Sequence, residues 1–284
     1  MSDSTIVLIT GVARGLGKAL TEFYLARPNH TVIGTVRDPA AANAQALLSS
    51  STTSAAPGSK LHLLKLEATR APDYASLPSS IKSLGITHLD IVIANSGISC
   101  SPTPLATISP EDVLNGYDVN TVGTLRLWQA TRDLLEKSSK GPKWVSMSSG
   151  AGSIDGVKTY GTQWFSMYGM SKAGMNWLTV YVFHSLYFIG GVWQSPLCEG
   201  GMLKISSDGS AIHNSEEWLT AFAVHPGLVQ TDMGNKGARE FGMEEAPNTI
   251  EEAITKTTAK IDGATREATS GRFWNVIDGV EFPW

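Results

Sequence analysis

Tyr168 and Lys172 have side chains that together could carry acid–base chemistry. They stand four residues apart in a segment with helical periodicity, and side chains at this spacing share one face of a helix. A cation held near a phenol favours the phenolate, so Lys172 would lower the pKa of Tyr168 from about 10 towards the range of a proton-transfer catalyst. Ser148 and Ser149 precede the pair and could supply a hydroxyl group to the same site.

Apolar runs of strand length alternate with helical patterns and would position these side chains. The runs are continuous in Val, Ile and Leu, which is typical of parallel strands buried on both faces. Seven strands are predicted, at residues 6–9, 31–36, 61–66, 89–94, 143–147, 221–224 and 272–277. We therefore predict one Rossmann-type α/β domain over residues 1–284, doubly wound, with a mainly parallel seven-stranded sheet and helices on both faces.

Two further segments bear on this prediction. A long helix is predicted over about residues 110–135, which include Asn120. The serine-rich segment 49–59 is predicted to be a flexible surface loop.

Length and composition exclude several classes of protein. The 284 residues suffice for one large domain, and charged residues make up only 17%. A net charge of −4 without a basic run argues against a nucleic-acid partner. Cys100 and Cys198 match neither a disulfide framework nor a metal-ligand spacing, so no metal is expected. The apolar stretch 180–193 is too short to span a bilayer and no secretory signal is read, so we expect a cytoplasmic protein without a membrane partner.

A glycine-rich turn between the first strand and the first helix indicates a nucleotide site. It reads Thr-Gly-Val-Ala-Arg-Gly-Leu-Gly over residues 10–17. Glycines there let the backbone turn tightly and approach a pyrophosphate, whose charge faces the N-terminus of the helix. The residues expected to contact the cofactor in this turn are Gly11, Arg14, Gly15, Leu16 and Gly17.

The end of the second strand predicts which nucleotide binds. An NAD site needs an acidic residue there to bind the ribose hydroxyl groups. This chain has Val36 at that place, followed by Arg37, and Arg14 stands inside the glycine-rich turn. Two guanidinium groups suit a 2′-phosphate, so we predict NADP(H) rather than NAD(H). The alternative is that both arginines are solvated and that Asp38 pairs with Arg37.

Six motifs in this order resemble those of the short-chain dehydrogenase/reductase family, over nearly the whole chain. They are the glycine-rich turn, Asn95-Ser96-Gly97 after the fourth strand, Asn120 in a Val-Asn-Thr-Val-Gly sequence, the serine pair followed by Gly152, Tyr168-x-x-x-Lys172, and Pro226-Gly227 followed by Thr231. Residues 35–39 and 273–284 look like the carbonyl-reductase-like branch and are similar to fungal ketoreductases.

The resemblance implies the reduction of a ketone or aldehyde, or the reverse alcohol oxidation, with NADP(H) as cofactor and a small carbonyl or alcohol as substrate. It implies that Tyr168 donates a proton to the carbonyl oxygen, that Ser149 holds this oxygen, and that Lys172 binds the nicotinamide ribose. Asn120 would hold a water that links Lys172 to solvent. Thr231 would bind the nicotinamide carboxamide, although a threonine at this place could equally cap the helix that follows.

Further cofactor contacts implied by the resemblance follow the ends of the strands. They are Arg37, Glu67, Asn95, Ser96, Gly97, Pro226, Gly227, Val229 and Thr231, together with Tyr168 and Lys172. Glu67 stands where the family usually has Asp beside the adenine. The turn after the fourth strand reads Ala-Asn-Ser-Gly instead of the usual Asn-Asn-Ala-Gly.

An extra segment at about residues 180–210 makes the chain between Lys172 and Pro226 longer than the resemblance implies. Residues 173–198 contain no Asp, Glu, Lys or Arg. Three interpretations stay open: an extended helix that covers an apolar site or a subunit interface, a packed surface loop, or translated non-coding sequence.

The segment at about residues 232–250, rich in Gly, Met and Glu, is predicted to be a mobile substrate loop. Trp164, Phe165 and Met233 nearby favour an apolar substrate, such as an aromatic or polyketide-type ketone. Because a fold does not determine function, two alternatives stay open: a non-catalytic NADP(H)-binding regulator, and an enzyme fold disabled by the extra segment. A homo-oligomer also stays open.

Overall fold

The computed structural model of the chain describes residues 4–161, 164–180, 187–189, 192–194 and 216–284. Its strands are β1 (Thr5–Thr10), β2 (His30–Val36), β3 (Lys60–Lys65), β4 (Ile91–Ala94), β5 (Lys143–Met147), β6 (Tyr187–Ile189), β7 (Val192–Gln194), β8 (Thr220–His225), β9 (Phe273–Asn275) and β10 (Val280–Glu281). Its helices are α1 (Gly15–Leu25), α2 (Ala42–Ser54), α3 (Ala71–Ser83), α4 (Pro110–Tyr117), α5 (Gly123–Leu135), α6 (Gly156–Tyr160), α7 (Ser166–Val180), α8 (Asp232–Glu240) and α9 (Ile250–Asp262).

One sheet contains eight strands in the order β10-β9-β8-β5-β4-β1-β2-β3. All neighbouring strands in it are parallel except β9 and β10. The chain builds outward from β1 through β2 and β3 on one side, and then through β4, β5, β8 and β9 on the other. The predicted doubly wound sheet and its seven strands are confirmed, and β10 adds a short antiparallel eighth. The order reverses between β1 and β4, and in such folds ligands bind at the carboxyl ends of the strands at this place.

The core lies in two layers, one on each face of the sheet. Val7 and Ile9 of β1 pack in one apolar cluster with α1, α2 and α9, whereas Ile6 and Leu8 pack in the other with α3 and α5. Successive side chains of a strand point to opposite faces, so a strand with apolar residues at every position is buried on both. This burial explains why the apolar runs are continuous.

The serine-rich part of the sequence differs from its prediction. Helix α2 continues to Ser54, so the predicted loop is wrong for residues 49–54. The hydroxyl groups of Ser50, Ser51, Thr52, Thr53 and Ser54 each donate to a carbonyl oxygen three or four residues earlier. These bonds satisfy the side chains inside the helix, although the same residue types usually favour turns.

The extra segment predicted at about residues 180–210 lies outside the described residues, apart from β6 and β7. These two short strands pair with each other in antiparallel fashion and not with the main sheet. Within the part of the chain that the structure describes, no helix combines the length and apolar character needed to cross a membrane.

Candidate active site

The glycine-rich turn and the turn after β4 are held together by hydrogen bonds. The Thr10 hydroxyl oxygen accepts from the backbone N–H groups of Asn95 (3.0 Å) and Ser96 (2.9 Å), and the Asn95 amide donates to the Thr10 carbonyl oxygen (2.8 Å). Gly11 has φ = +74°, and a Cβ there would stand 2.8 Å from the Ser96 hydroxyl oxygen. A Cβ on Gly17 would overlap the Gly11 carbonyl oxygen. Both positions therefore require glycine.

The N-terminus of α1 is open to an anion. Among the described residues no side chain caps it, and its first turn contains no acidic residue. The first N–H groups of a helix have no partner within the helix and carry a partial positive charge, so they attract phosphate groups. The tight backbone turn and these free N–H groups fit the pyrophosphate of a dinucleotide.

The two predicted phosphate-binding arginines lie at the surface. Arg14 pairs with Asp232, the first residue of α8, at 3.3 Å between guanidinium nitrogen and carboxylate oxygen. Arg37 is exposed directly after buried Val36. Asp38 accepts from the backbone N–H of Ala40 (2.9 Å), and no ion pair between Arg37 and Asp38 is found in the described part of the chain. The pairing of Arg14 was not predicted, because its partner lies 218 positions away in sequence.

Ser149, Tyr168 and Lys172 come together at the carboxyl end of β5. The Ser149 hydroxyl is close enough to the Tyr168 phenol to lower its pKa. The Lys172 ammonium nitrogen is buried, lies 5.7 Å from the centroid of the Tyr168 ring and donates to the Met147 carbonyl oxygen at 2.7 Å. Ser148 points elsewhere and donates to Asn176 of α7 in a buried hydrogen bond. Of the two serines, the structure therefore brings only Ser149 to Tyr168.

Burial controls the ionisation of this cluster. Burial lowers the pKa of Lys172 from 10.5 to about 7. It also raises the pKa of Tyr168 above its usual value of 10, and the nearby Ser149 hydroxyl only partly offsets this effect. The expectation that Lys172 lowers the pKa of Tyr168 is therefore wrong for the protein without cofactor. Desolvation penalises the charged form of each group and is the largest cause of both shifts.

Asn120 lies in a π-helical turn, Asp118–Val122, which joins α4 and α5. The long predicted helix is thus present but interrupted at this residue, as is common for π-turns at functional sites. The buried Asn120 amide donates to the Ile98 carbonyl (2.9 Å) and the Ser171 hydroxyl oxygen (2.8 Å), and its oxygen accepts from the Ile98 N–H (2.8 Å). Its side chain thus ties the loop after β4 to α7, and its proposed water contact stays a prediction.

Gly97 brings the backbone close to these groups. A Cβ built on Gly97 would stand 3.0 Å from the Asn120 amide oxygen and 3.5 Å from the Lys172 nitrogen. The structure therefore brings Gly97, Asn120 and Lys172 to one place, next to the cluster of Ser149 and Tyr168. The sequence motifs did not indicate Ser171, which links Asn120 to the catalytic helix.

The segment after β8 returns to the glycine-rich turn. Pro226, Gly227 and buried Val229 lead to Thr231, whose hydroxyl oxygen accepts from the Gly234 N–H (3.1 Å) and caps α8. The cap alternative for Thr231 is therefore what the structure shows. Its methyl carbon lies 3.6 Å from a Cβ built on Gly15, so Thr231 also borders the cofactor turn. Its contact with a carboxamide stays a prediction.

Glu67 follows β3 at the far end of the cleft and is half-buried. Its backbone N–H donates to the Asp73 carboxylate at 2.9 Å, which fixes the turn between β3 and α3. Its neighbours Leu66 and Ala68 line a small cavity together with Ser96. Glu67 is therefore placed at the same edge of the sheet as the glycine-rich turn, and its contact with an adenine stays a prediction.

Helix α8 covers the other end of the cleft. Five of its residues line an open cleft of about 240 Å³, whose opposite wall is Arg14 of the glycine-rich turn and residues 97–100. All nine residues of α8 are described, and only Ala238 is buried. Directly after α8, the Phe241 ring packs on the Phe165 ring at 5.2 Å between centroids. The predicted substrate loop thus begins as a helix, and Phe241 was not identified from the sequence.

The known proteins that resemble this chain belong to one family and match most or all of its length. The family model described as short chain dehydrogenase matches residues 5–187. The short-chain dehydrogenase srdF of Neurospora crassa is 39% identical over 285 positions, which cover 100% of this chain and 99% of that protein. The norsolorinic acid ketoreductase of Aspergillus parasiticus is 31% identical, with 99% and 92% covered.

A solved structure shows the same architecture. The NADPH-bound carbonyl reductase from chicken fatty liver superposes with a TM-score of 0.76, at 26% identity and with 99% of each chain covered. The likeness therefore extends over the whole sheet and over both ends of the cleft.

Proposed function

Because the chain belongs to the short-chain dehydrogenase family, we propose that it is an NADP(H)-dependent reductase of a ketone or aldehyde, or a dehydrogenase of the corresponding alcohol. The observation that carries this proposal is the meeting of Ser149 and Tyr168 beside the buried Lys172. A structural role would need only one of these three groups, and burying a lysine without a carboxylate partner costs stability.

The cofactor-binding residues would act as follows. The N-terminus of α1 with Gly11, Gly15 and Gly17 would hold the pyrophosphate, and Arg14 and Arg37 would hold the 2′-phosphate. NADPH, when bound, supplies the hydride. The cofactor in the chicken carbonyl reductase supports this assignment, and so does the absence of an acidic residue at Val36.

Each member of the cluster has a role that its ionisation permits. A raised pKa keeps Tyr168 protonated near neutral pH, so it can donate its proton to the carbonyl oxygen of the substrate. The Ser149 hydroxyl donates a hydrogen bond to the same oxygen, where negative charge develops. In its charged form Lys172 stabilises the phenolate that Tyr168 leaves behind. Asn120 holds the loop after β4 against α7 and so keeps Lys172 in place.

We propose an apolar substrate, aromatic or of the polyketide type. Trp164 and Met233, which flank the cleft, are half-exposed apolar side chains that such a substrate would cover. The norsolorinic acid ketoreductases among the relatives are a second argument for this substrate class. The mobility of residues 232–250, a cytoplasmic location and the absence of nucleic-acid and membrane partners remain predictions.

Replacing Tyr168 with Phe tests the proposal. NADPH consumption is followed against a panel of ketones and aldehydes, and NADPH binding by fluorescence. Tyr168→Phe should lower kcat by about a thousandfold, the usual range for a lost proton donor, and leave NADPH affinity unchanged. Tyr24→Phe is the matched control, because the Tyr24 hydroxyl is buried without a hydrogen-bond partner in the described residues.

The two alternatives give different results. A parent protein that binds NADPH but reduces no member of the panel would support the non-catalytic regulator. A parent that neither binds nor reduces, but gains both properties when residues 180–210 are deleted, would support the disabled enzyme.

A further inference from the structure

Ser149 stands between a fixed strand end and a turn that cannot anchor itself. Before it, the Ser148 N–H donates to a carbonyl oxygen of β8 at 2.8 Å. After it comes a short 3-10 helix, Gly150–Gly152, whose largest side chain is the methyl group of Ala151. The Gly152 N–H donates to the Ser149 carbonyl oxygen (2.9 Å), which sets the shape of this turn. The position of the turn depends on the groups that pack against it.

The far end of the turn packs on α7, the helix of the acid–base pair. A Cβ built on Gly169 would stand 2.8 Å from the Ala151 carbonyl oxygen. A Cβ built on Gly152 would stand 2.8 Å from the Lys172 carbonyl carbon. The Asn176 amide also donates to the Gly152 carbonyl oxygen at 3.2 Å. Backbone meets backbone at this end, so α7 fixes it.

The near end of the turn, next to Ser149, packs on two rings. A Cβ built on Gly150 would stand 3.3 Å from Cζ of Phe282 and 3.5 Å from Nε2 of His225. These two rings also contact each other, with 5.7 Å between their centroids. Burial lowers the pKa of His225 to about 4, so its ring is uncharged at neutral pH. The near end of the turn therefore rests on an uncharged surface, to which Phe282 contributes the tip of its ring.

Phe282 is itself held by the edge of the sheet. It is buried, its N–H donates to the Phe273 carbonyl oxygen of β9 at 2.7 Å, and the two rings meet edge to face at 5.2 Å. The Trp284 ring stacks on the same Phe273 ring at 5.4 Å. The Trp284 carbonyl oxygen accepts from the Asp155 N–H (2.8 Å), three residues beyond the turn. These aromatic residues thus connect β9 to the segment that follows Ser149.

We propose that Phe282 is a positioning residue for the reaction, which packs on Gly150 and so keeps the Ser149 hydroxyl beside Tyr168 and the substrate oxygen. The end of the turn next to Ser149 would otherwise be free to shift, because glycine restricts the backbone least. A displacement of about 1 Å at a reacting group can cost a large part of the rate. This proposal rests on the proposed reductase function and adds to it a residue that no motif indicates.

A double-mutant cycle tests whether Phe282 acts through Ser149. Leucine ends before the position of Cζ, so Phe282→Leu removes the contact with Gly150 and keeps most of the buried volume. With NADPH and the carbonyl that the parent reduces fastest, Phe282→Leu should lower kcat about tenfold and leave NADPH affinity unchanged. In Ser149→Ala the same change should lower kcat less than about twofold, because no hydroxyl is left to position. An equal loss in both backgrounds would overturn the proposal.

Two further variants separate positioning from a general loss of packing. Phe282→Met has an unbranched side chain long enough to reach Gly150, so kcat should stay within about threefold of the parent. Phe23→Leu is the matched control, because it makes the same change in α1, at a half-buried ring that packs on Tyr24 and Arg27. It should leave kcat unchanged. Equal losses of kcat in the two leucine variants would contradict a specific role of Phe282.

Hydrogen exchange distinguishes the failure of this proposal from the failure of the reductase proposal, because it needs no turnover. In Phe282→Leu, the amide groups of residues 150–155 should exchange about tenfold faster than in the parent, while those of β1 exchange at the same rate. Equal exchange at residues 150–155 in the two proteins would overturn the positioning role. Absence of NADPH consumption with every carbonyl tested would overturn the reductase proposal instead.

Discussion

The floor and the cover of the cleft are built in opposite ways. The floor comprises the glycine-rich turn, the turn after β4 and the end of β5, and hydrogen bonds from Thr10, Asn95 and Asn120 hold it in place. The cover is α8, which buries only Ala238 among its nine described residues. The groups that must meet within hydrogen-bond distance lie on the floor. We expect the cover to move, because little apolar area holds it.

The N-termini of α1 and α8 show the same contrast, although both face this cleft. The first turn of α1 contains no acidic residue, and no side chain in the described chain caps it. Helix α8 begins with Asp232 and is capped by Thr231. The carboxylate at the N-terminus of α8 balances the partial positive charge there and repels a phosphate group. Of the two helix N-termini, only that of α1 is therefore suited to bind an anion. From this difference we expect the N-terminus of α1 to bind the cofactor phosphates and α8 to serve only as a cover.

Replacing glycine by alanine in each helix tests this contrast with the largest effect. Gly17→Ala places a Cβ against the Gly11 carbonyl oxygen, and backbone atoms cannot move aside. It should lower the free energy of unfolding by at least about 4 kcal/mol and abolish NADPH binding. In α8, a Cβ on Gly237 would contact only the Leu228 side chain at 3.8 Å, so Gly237→Ala should stabilise by about 0.5 kcal/mol. Urea unfolding measures both, and equal losses would remove the distinction between floor and cover.

Lys172→Met tests whether the buried ammonium group of Lys172 destabilises the folded protein. The pKa of Lys172 is lowered to about 7 in the folded protein, so below this pH folding must bury an ammonium group. The penalty is complete below about pH 7 and disappears as the pH rises towards the unfolded pKa of 10.5. Without cofactor, the gain in stability of the variant over the parent should be larger at pH 6 than at pH 10 by roughly 4 kcal/mol.

Thermal or urea unfolding at the two pH values measures this difference. Lys143→Met is the control, because Lys143 is half-buried but donates to the Ile261 and Asp262 carbonyl oxygens at the end of α9. A pH-independent difference between Lys172→Met and the parent would show that the ammonium group is solvated.

Replacing each of the two adjacent serines separates a contribution to catalysis from a contribution to stability within the floor. Ser149→Ala should lower kcat about a hundredfold, because its hydroxyl acts on Tyr168. It should lower the free energy of unfolding by at most about 1 kcal/mol, since the only hydrogen bond of this hydroxyl among the described residues is a 3.2 Å bond from the Ala151 N–H. Ser148→Ala should leave kcat nearly unchanged and lower the free energy of unfolding by about 1–2 kcal/mol, since the buried Asn176 oxygen loses its donor. Steady-state kinetics and urea unfolding of both variants provide the check. The opposite result, a loss of kcat in Ser148→Ala and a loss of stability in Ser149→Ala, would mean that Ser148 is the catalytic serine.

Asp232→Asn tests the smallest contact between floor and cover. The 2′-phosphate must displace the Asp232 carboxylate from Arg14, and an exposed pair of this kind contributes at most about 1 kcal/mol. Removing the carboxylate should therefore strengthen NADPH binding about threefold and leave NADH binding unchanged. Glu240→Gln, on the same helix and lining the same cavity, is the control. A parallel change for both nucleotides would indicate that Arg14 does not bind the 2′-phosphate.

Much of the floor was predictable from the sequence because its requirements are local. The seven strands follow from apolar runs, and the glycine-rich turn follows from a backbone that tolerates no Cβ at Gly11 and Gly17. The family suggested by the order of motifs is confirmed. The choice of Ser149 over Ser148 was also made from the motif, and the structure brings Ser149 to Tyr168.

The features that were missed depend on partners distant in sequence or on burial. The hydroxyl groups of Ser50 and Ser54 donate hydrogen bonds to carbonyl oxygens within α2. The residue type alone does not predict whether a serine makes such a bond in a helix or favours a turn. The π-turn at Asn120 could not be identified, because it belongs to a helix with ordinary periodicity. The pKa of Tyr168 was expected to fall and instead rises, since desolvation depends on everything packed around the ring.

The sequence by itself determined the sheet, the cofactor turn and the identity of the groups that can react. Each of these depends on the conformational range of a residue or on a short-range spacing. Only the tertiary structure decided how these groups ionise, which helix covers them and that Phe241 meets Phe165. Ionisation and covering depend on solvent exclusion by segments from different parts of the chain, which no local pattern encodes.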